Sequence, residues 1–207
     1  LFLLLCFLFV VNGANLIDGF NGLLAINLII INMILTYINV QNANIELSFF
    51  IIGQIVFLLS FLLFNFPNAK IFLGDSGSYL FGSLTALNTI MTNNLNPNYS
   101  SFFFCILLFY IFFEVFFSFI RKVFQKKSPV HPDNKHLHML TFKKISIKFG
   151  RNNGNYINSV VINIVYSALI VPALLFAKDP LISRYWFFFL IVIYLLIYSR
   201  LYRLTKN

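Results

Sequence analysis

Three short polar stretches interrupt an otherwise apolar chain of 207 residues, and their side chains are of the kinds that bind cations and phosphates. The first, Asn15-Leu16-Ile17-Asp18-Gly19-Phe20-Asn21-Gly22, offers a carboxylate, two carboxamides and two glycines. Asp and Asn supply oxygens for a hard cation or hydrogen bonds to a base or sugar, and glycine lets a ligand approach the backbone. The same residues also describe a plain Asx turn between two helices. The second stretch, Phe72-Leu73-Gly74-Asp75-Ser76-Gly77-Ser78, runs directly into an apolar segment. Backbone N–H groups at a helix start form an anion site, and Asp75 beside them would hold a magnesium ion that bridges phosphate oxygens. Helix capping by Asp75 or Ser76 is the simpler role, and the two are compatible.

The third stretch, from Ser128 to His138, contains all three histidines (His131, His136, His138) together with Asp133. Three of the chain's six carboxylates therefore lie within these stretches. If 136–138 is extended, His136 and His138 point the same way, because side chains alternate with period two; if it is helical they diverge. A zinc or nickel site is one reading. It is disfavoured by the lack of a nearby Cys and by the surrounding Lys126, Lys127, Lys135, Lys143 and Lys144, which suit polyphosphate. The same lysines would also be attracted to anionic lipid headgroups.

The elements that must position these residues are membrane helices. Hydrophobic residues make up 59% of the chain and charged residues 10%, at a mean hydropathy of +0.84. A soluble domain carries roughly a quarter of its residues charged, so the bilayer is the expected solvent. Apolar segments run at about 1–11, 22–38, 47–64, 78–92, 101–120, 156–177 and 185–203. They predict an all-α, polytopic transmembrane helix bundle of about six complete spans plus a partial first one, a single integral membrane domain over 1–207. Segment 78–92, with Gly82, Asn88 and several Ser and Thr, is expected to pack among other helices rather than face lipid.

Threading these spans puts 12–21, 65–77, a basic loop at 121–155 and the tail on one face. The loops 39–46, 93–100 and 178–184 fall on the other. Counting Arg200 and Arg203 with the tail they adjoin, thirteen of the fifteen Lys and Arg lie on the first face; Lys178 and Arg184 are opposite. The positive-inside rule makes the first face cytoplasmic, and all three polar stretches fall on it. The net charge of +9 is thus a topology signal and gives no reason to expect nucleic acid.

Glu114 sits inside segment 101–120, where an ionisable group costs roughly 2.5–3.5 kcal/mol at the bilayer centre and marks function or a partner. Arg121, two turns on, is its expected partner, in a structural role. Thr141 to Phe149 reads as a short amphipathic helix on the membrane surface, although the alternation of Ile145, Ile147 and Phe149 also fits a strand. Cys6 and Cys105, isolated in apolar runs, read as buried bystanders. The chain opens Leu1-Phe2-Leu3 with no Met and no basic region ahead of the apolar run, and Leu1 to Val11 is shorter than the ~20 residues of a span. It reads as the tail of a helix in a larger protein.

Taken together, the three stretches resemble the polyprenyl-phosphate N-acetylhexosamine-1-phosphate transferases, glycosyltransferase family 4. The matching residues are Asn15 to Leu23, Lys70 to Ser78, and Glu114 to Arg121 leading into Pro132-Asp133-Asn134-Lys135-His136-Leu137-His138. The resemblance implies a helical bundle with a cytoplasmic cleft in the bacterial inner membrane. It implies transfer of a HexNAc-1-phosphate from a UDP-N-acetylhexosamine to undecaprenyl phosphate, with release of UMP, as the first membrane step of a cell-envelope polysaccharide. Mg2+ is the implied cofactor, with Mn2+ an alternative, and dimers occur in the family. By the same resemblance Asp75, Asp18, His136 and His138 are catalytic, and Asp75 and Asn15 hold the metal. Asn15, Phe20, Asn21, Phe72 and Asp133 contact substrate, Phe72 by stacking on uracil, and the two histidines handle the diphosphate.

Two features depart from the family. Its paired Asp-Asp motif is absent, so this polypeptide alone is expected to be inactive. Met139 follows His136-Leu137-His138 where a further histidine is common. The Pro-Asp-x-x-His-x-His form nevertheless resembles the O-antigen and common-antigen branch more than the peptidoglycan branch. Two competing readings are a transporter or channel subunit, which would place polar residues near the midplane, and a catalytically inactive paralogue.

Overall fold

The computed structural model describes residues 2–126, 128, 131 and 133–206. Leu1, Lys127 and Pro132, named above, lie outside the described residues. Every apolar segment becomes helix: α1 (Phe2–Ile17), α2 (Leu23–Gln41), α3 (Ile45–Asn65), α4 (Gly74–Leu95), α5 (Ser101–Leu107), α6 (Phe109–Phe124), α7 (Leu137–Ile170) and α8 (Pro180–Lys206), with a 3-10 segment at Val171–Phe176. Four of these, α2, α3, α7 with its 3-10 extension and α8, are long and apolar enough to cross a membrane; the α5–α6 pair makes a fifth if taken as one span. The sixth segment is α4, 22 residues long but too polar to pass the same test.

The composition of α4 follows from its packing. Ser78, Thr85, Asn88, Thr89 and Thr92 are buried along one face, while Tyr79, Leu80, Leu87 and Met91 look outward on the other. The expectation that this helix avoids lipid therefore holds for only half of it. The buried face forms a polar ladder with α2 and α3. Asn32 donates to Thr85 (3.1 Å), Asn88 donates to Asn32 (3.1 Å) and to Gln54 (2.8 Å), and Asn39 donates to Thr92 (2.7 Å). In an apolar surround such groups are tolerable only when they satisfy one another.

The chain's small residues set the position of α1. A methyl group on Gly13 would collide with the backbone carbonyl of Ile111 on α6, and one on Gly82 of α4 would lie 2.6 Å from Ala14 Cβ. Helix α1 is thus wedged between α4 and α6 at backbone contact distance. This also explains why α1 continues to Ile17, past the boundary near 11 that hydropathy suggests. Asn12 donates to the Leu8 carbonyl one turn back (2.7 Å), and tertiary packing holds the remaining turns.

The two predicted sets of loops do gather separately. On one face, Asn21 N–H donates to Asn155 Oδ1 (2.7 Å), Asn21 Nδ2 to the Pro67 carbonyl (2.8 Å), and Gly22 N–H to Asn65 Oδ1 (2.7 Å). Gly22 has φ +78°, a left-handed conformation that a side chain would strain, and Phe66 fills the space where one would stand. On the other face, Ser100 N–H donates to the Ala177 carbonyl (2.8 Å) and Asn44 to Asn96 (3.2 Å).

Three expectations change. Segment 101–120 is not one straight helix: it bends by 78° at Leu108, where the Tyr166 hydroxyl of α7 donates to the Leu107 carbonyl freed by the break. The stretch 121–155 is not loop throughout, since α6 runs to Phe124 and α7 begins at Leu137. Lys143, Lys144, Lys148 and Arg151 sit on α7, which turns sharply at Gly150 (φ 77°, ψ 166°), and Thr141 to Phe149 is helical rather than strand. Finally, both cysteines are free, but Cys105 is exposed on the outer side of α5 rather than buried.

Candidate active site

Asn15 lies on the last turn of α1, not in a loop, and α4 starts beside it. Its amide donates to Asp75 Oδ1 (2.9 Å) and to Ser78 Oγ (3.0 Å), joining the first and second polar stretches across 60 residues of sequence. Asp18 follows in the tight turn after α1, its N–H donating to the Asn15 carbonyl (3.3 Å). Burial, and then the negative charge of Asp75, raise the Asp18 carboxyl from 3.8 to about 7. Two carboxylates that repel each other, with an amide oxygen close by, form a hard-oxygen donor set that fits a divalent cation such as Mg2+. Among the described residues, no three His, Cys, Asp or Glu side chains by themselves form a metal cage.

The third stretch meets the first in a cleft of about 440 Å3. Asn12, Asn15 and Leu16 of α1 face Ser118 and Lys122 of α6, with Asp133, Asn134, His136, His138 and Met139 completing the wall. His136 caps α7 with extended backbone (φ −73°, ψ 152°), and His138 is the second residue of that helix. The extended cap gives the side-by-side outcome: the two rings stack in parallel, centroids 5.4 Å apart and planes 4° apart. His138 is fully buried; its Nδ1 lies 3.4 Å from the Tyr110 hydroxyl and its Nε2 has no hydrogen-bond partner.

The carboxylates behind these rings are paired differently from the sequence expectation. Glu114, fully buried on α6, does not pair with Arg121. It contacts His136 Nδ1 (3.2 Å), accepts from the Leu137 N–H (2.8 Å) and accepts from the Tyr194 hydroxyl of α8 (2.8 Å). Arg121 instead forks onto Asp133, at 2.7 and 3.1 Å. The reason is direction: Glu114 points at the start of α7, while Arg121, in the last turn of α6, reaches the segment that returns from it. Bidentate Arg–carboxylate geometry then fixes that segment.

Burial alone would raise the Asp133 carboxyl, but the Arg121 hydrogen bonds, with the Lys135 N–H, hold it at about 2 against an ordinary 3.8. A carboxyl depressed on folding contributes stability above its unfolded value and loses it as the pH falls through the folded one. Asp133→Asn should therefore lower the melting temperature by a constant amount above about pH 5. That gap should close toward pH 2; melting curves of the two proteins from pH 7 to pH 2 measure it.

The remaining predicted site residues fall outside the cleft. Asp18 and Asp75 border it through Asn15 without lining it. Phe20 is buried, edge-on to His138 (5.7 Å) and against Phe142 (5.0 Å), so its ring packs inside the protein. Asn21 ties Pro67 to Asn155, and Phe72 is 72% exposed. Sequence reading left Asn12, Ser118, Lys122, Asn134 and Tyr194 out of the site. Lys122 was detectable as one of two cations ending α6; its Nζ donates to the His131 carbonyl (2.7 Å). Nothing in the sequence marked Tyr194.

The pattern of glycosyl transferase family 4 matches residues 1–93, which include the Asn15–Asp75 pair. That part of the chain is similar to the family. Among its relatives, the undecaprenyl-phosphate alpha-N-acetylglucosaminyl 1-phosphate transferase of Thermotoga maritima is 34% identical over 144 residues, 70% of this chain and 43% of that protein. A phospho-N-acetylmuramoyl-pentapeptide-transferase of Leuconostoc citreum is 41% identical over 80 residues, 39% of this chain and 25% of that protein. A probable undecaprenyl-phosphate N-acetylglucosaminyl 1-phosphate transferase of Bacillus subtilis is 30% identical over 130 residues, 62% of this chain and 36% of that protein. The chain thus spans less than half the length of the family 4 relatives it matches. The T. maritima alignment is longer than the 93 residues matched by the family pattern.

Proposed function

We propose that the protein carrying this chain transfers a HexNAc-1-phosphate from a UDP-sugar to undecaprenyl phosphate, with its cleft on the cytosolic side of the bacterial inner membrane. The observation that carries this reading is the convergence at Asn15. One amide bonds Asp75, and the same side chain lines the cleft that holds His136 and His138. The family match over residues 1–93 and relatives named for undecaprenyl-phosphate sugar-phosphate transfer support it. The clustering of Lys and Arg on the face with the cleft supports the sidedness.

In this reaction an oxygen of the lipid phosphate attacks the sugar-bearing phosphorus. The bond from that phosphorus to the UMP oxygen breaks, UMP leaves with the electron pair, and a diphosphate joins lipid to sugar. Such chemistry needs positioning and charge neutralisation more than proton transfer. A magnesium ion, when bound, would supply part of that neutralisation. Asp75 would hold it, with Asn15 and Asp18 beside it. His136 and His138 present their stacked rings from the opposite wall, where they can orient the diphosphate. Arg121 keeps the segment bearing Asp133 and His136 against α6.

The test is direct. The natural protein in detergent, given Mg2+, undecaprenyl phosphate and a panel of UDP-HexNAc donors, should release UMP and form a lipid-linked sugar. Solute movement across liposomes, with no UMP from any donor, would identify a carrier instead.

A further inference from the structure

The buried carboxylate of Glu114 has no place in the mechanism above. We propose that Glu114, held by Tyr194 of the last helix, is the positioning carboxylate of His136: it keeps the proton on Nδ1 and turns Nε2 toward the cleft. The inference rests on the reading of His136 as a diphosphate-facing residue.

The geometry is that of a carboxylate behind an imidazole. A neutral imidazole has one N–H, and two carboxylates compete for it here: Glu114 Oε1 is 3.2 Å from Nδ1 and Asp133 Oδ1 is 3.5 Å from Nε2. Asp133 Oδ1 already accepts from Arg121 Nη2 (3.1 Å) and from the Lys135 N–H (3.1 Å), and its Oδ2 accepts from Arg121 Nη1 (2.7 Å). Glu114 is the closer and less occupied acceptor, so the proton belongs on Nδ1. The lone pair of Nε2 then lies on the side of Asp133, a residue of the cleft wall. The partner of one ring nitrogen decides what the other can do.

Glu114 is itself fixed. Its Oε2 accepts from the Tyr194 hydroxyl at 2.8 Å, and Tyr194 is buried edge-on to Phe113 (4.9 Å) and Phe117 (5.4 Å) of α6. A carboxylate serving only as a cap for α7 would need the Leu137 N–H alone. The contacts to Tyr194 and His136 build a three-residue relay from α8 through α6 to the site, the arrangement by which an orienting group acts through its histidine.

The experiment uses the natural protein with 15N-labelled histidine, whose ring shifts distinguish the two tautomers; the His136 signal is identified by its loss in His136→Gln. The parent should show His136 protonated on Nδ1. Tyr194→Phe and Glu114→Gln, checked for folding by melting and gel filtration, should shift that signal toward a mixture. The same variants should lower kcat by about tenfold to a hundredfold with KM for both substrates within about twofold. Unchanged His136 signals in both folded variants would overturn the proposal, as would a rise in KM at constant kcat. If the parent shows no turnover, the transferase reading fails, while the tautomer measurement still decides the role of Glu114.

Discussion

Asp75→Asn should lower turnover by about a thousandfold or more while leaving the protein folded. The expectation of a clean loss comes from the geometry. The asparagine keeps an oxygen that can accept from Asn15 Nδ2, so the α1–α4 contact now made at 2.9 Å survives. What disappears is a negative charge at the start of α4, beside the half-buried Asp18. The measurement is UMP release over a range of Mg2+ concentrations, with thermal melting as the folding control. If turnover stays normal, Asp75 has no metal role. A tenfold loss that excess Mg2+ restores would show that Asp75 contributes affinity for the ion but is not required for the step.

The largest structural effect is expected at Gly13. Its alanine variant would drive a methyl group into the Ile111 carbonyl on α6, a backbone atom with no room to yield. Overpacking of this kind costs about 1–3 kcal/mol, and a rigid backbone contact belongs at the upper end. Activity should fall with stability, because Ile111 lies three residues before Glu114 and Gly13 two before Asn15. Separating α1 from α6 opens the cleft between them. Gly53→Ala on α3 is the control: nothing lies within 4 Å of its added methyl group, and a helical Gly→Ala change there should be neutral or slightly stabilising. Thermal unfolding of both variants in one detergent separates the two outcomes. Equal melting temperatures would remove the wedge argument.

Much of the architecture could be read before the structure. The hydrophobic runs located the helices apart from the first half of α7, and counting them assigned the loops to two faces that the hydrogen bonds reproduce. Missed boundaries share one cause: hydropathy treats a polar residue as a break, whereas Asn12 and Asn15 remain helical because α1 is clamped on both sides. The break at Leu108 was invisible for the opposite reason, since the sequence through it is uniformly apolar and the compensating hydroxyl, Tyr166, is 58 residues away. Residue types and order singled out Asn15, Asp75 and the His136–His138 pair, which the structure brings near one another. Spacing along one helix suggested a Glu114–Arg121 pair. Spacing says nothing of a partner arriving from another element, and here Asp133 and His136 arrive and divide the two charges between them. The burial of Phe20 was hidden for a related reason, because it depends on Phe142 and His138, which come from α7.

The rungs joining α2 to α4 also bear on what kind of machine this can be. Asn32 and Asn39 engage Thr85, Asn88 and Thr92 at successive turns, so sliding one helix past the other by a turn, about 5.4 Å, would strand amides in hydrocarbon all along the seam. A carrier must rock or slip its halves to open first to one compartment and then to the other, and this stitching opposes that motion. Both reactants of the proposed reaction can be met from a single aqueous side, which leaves a seam that need never open.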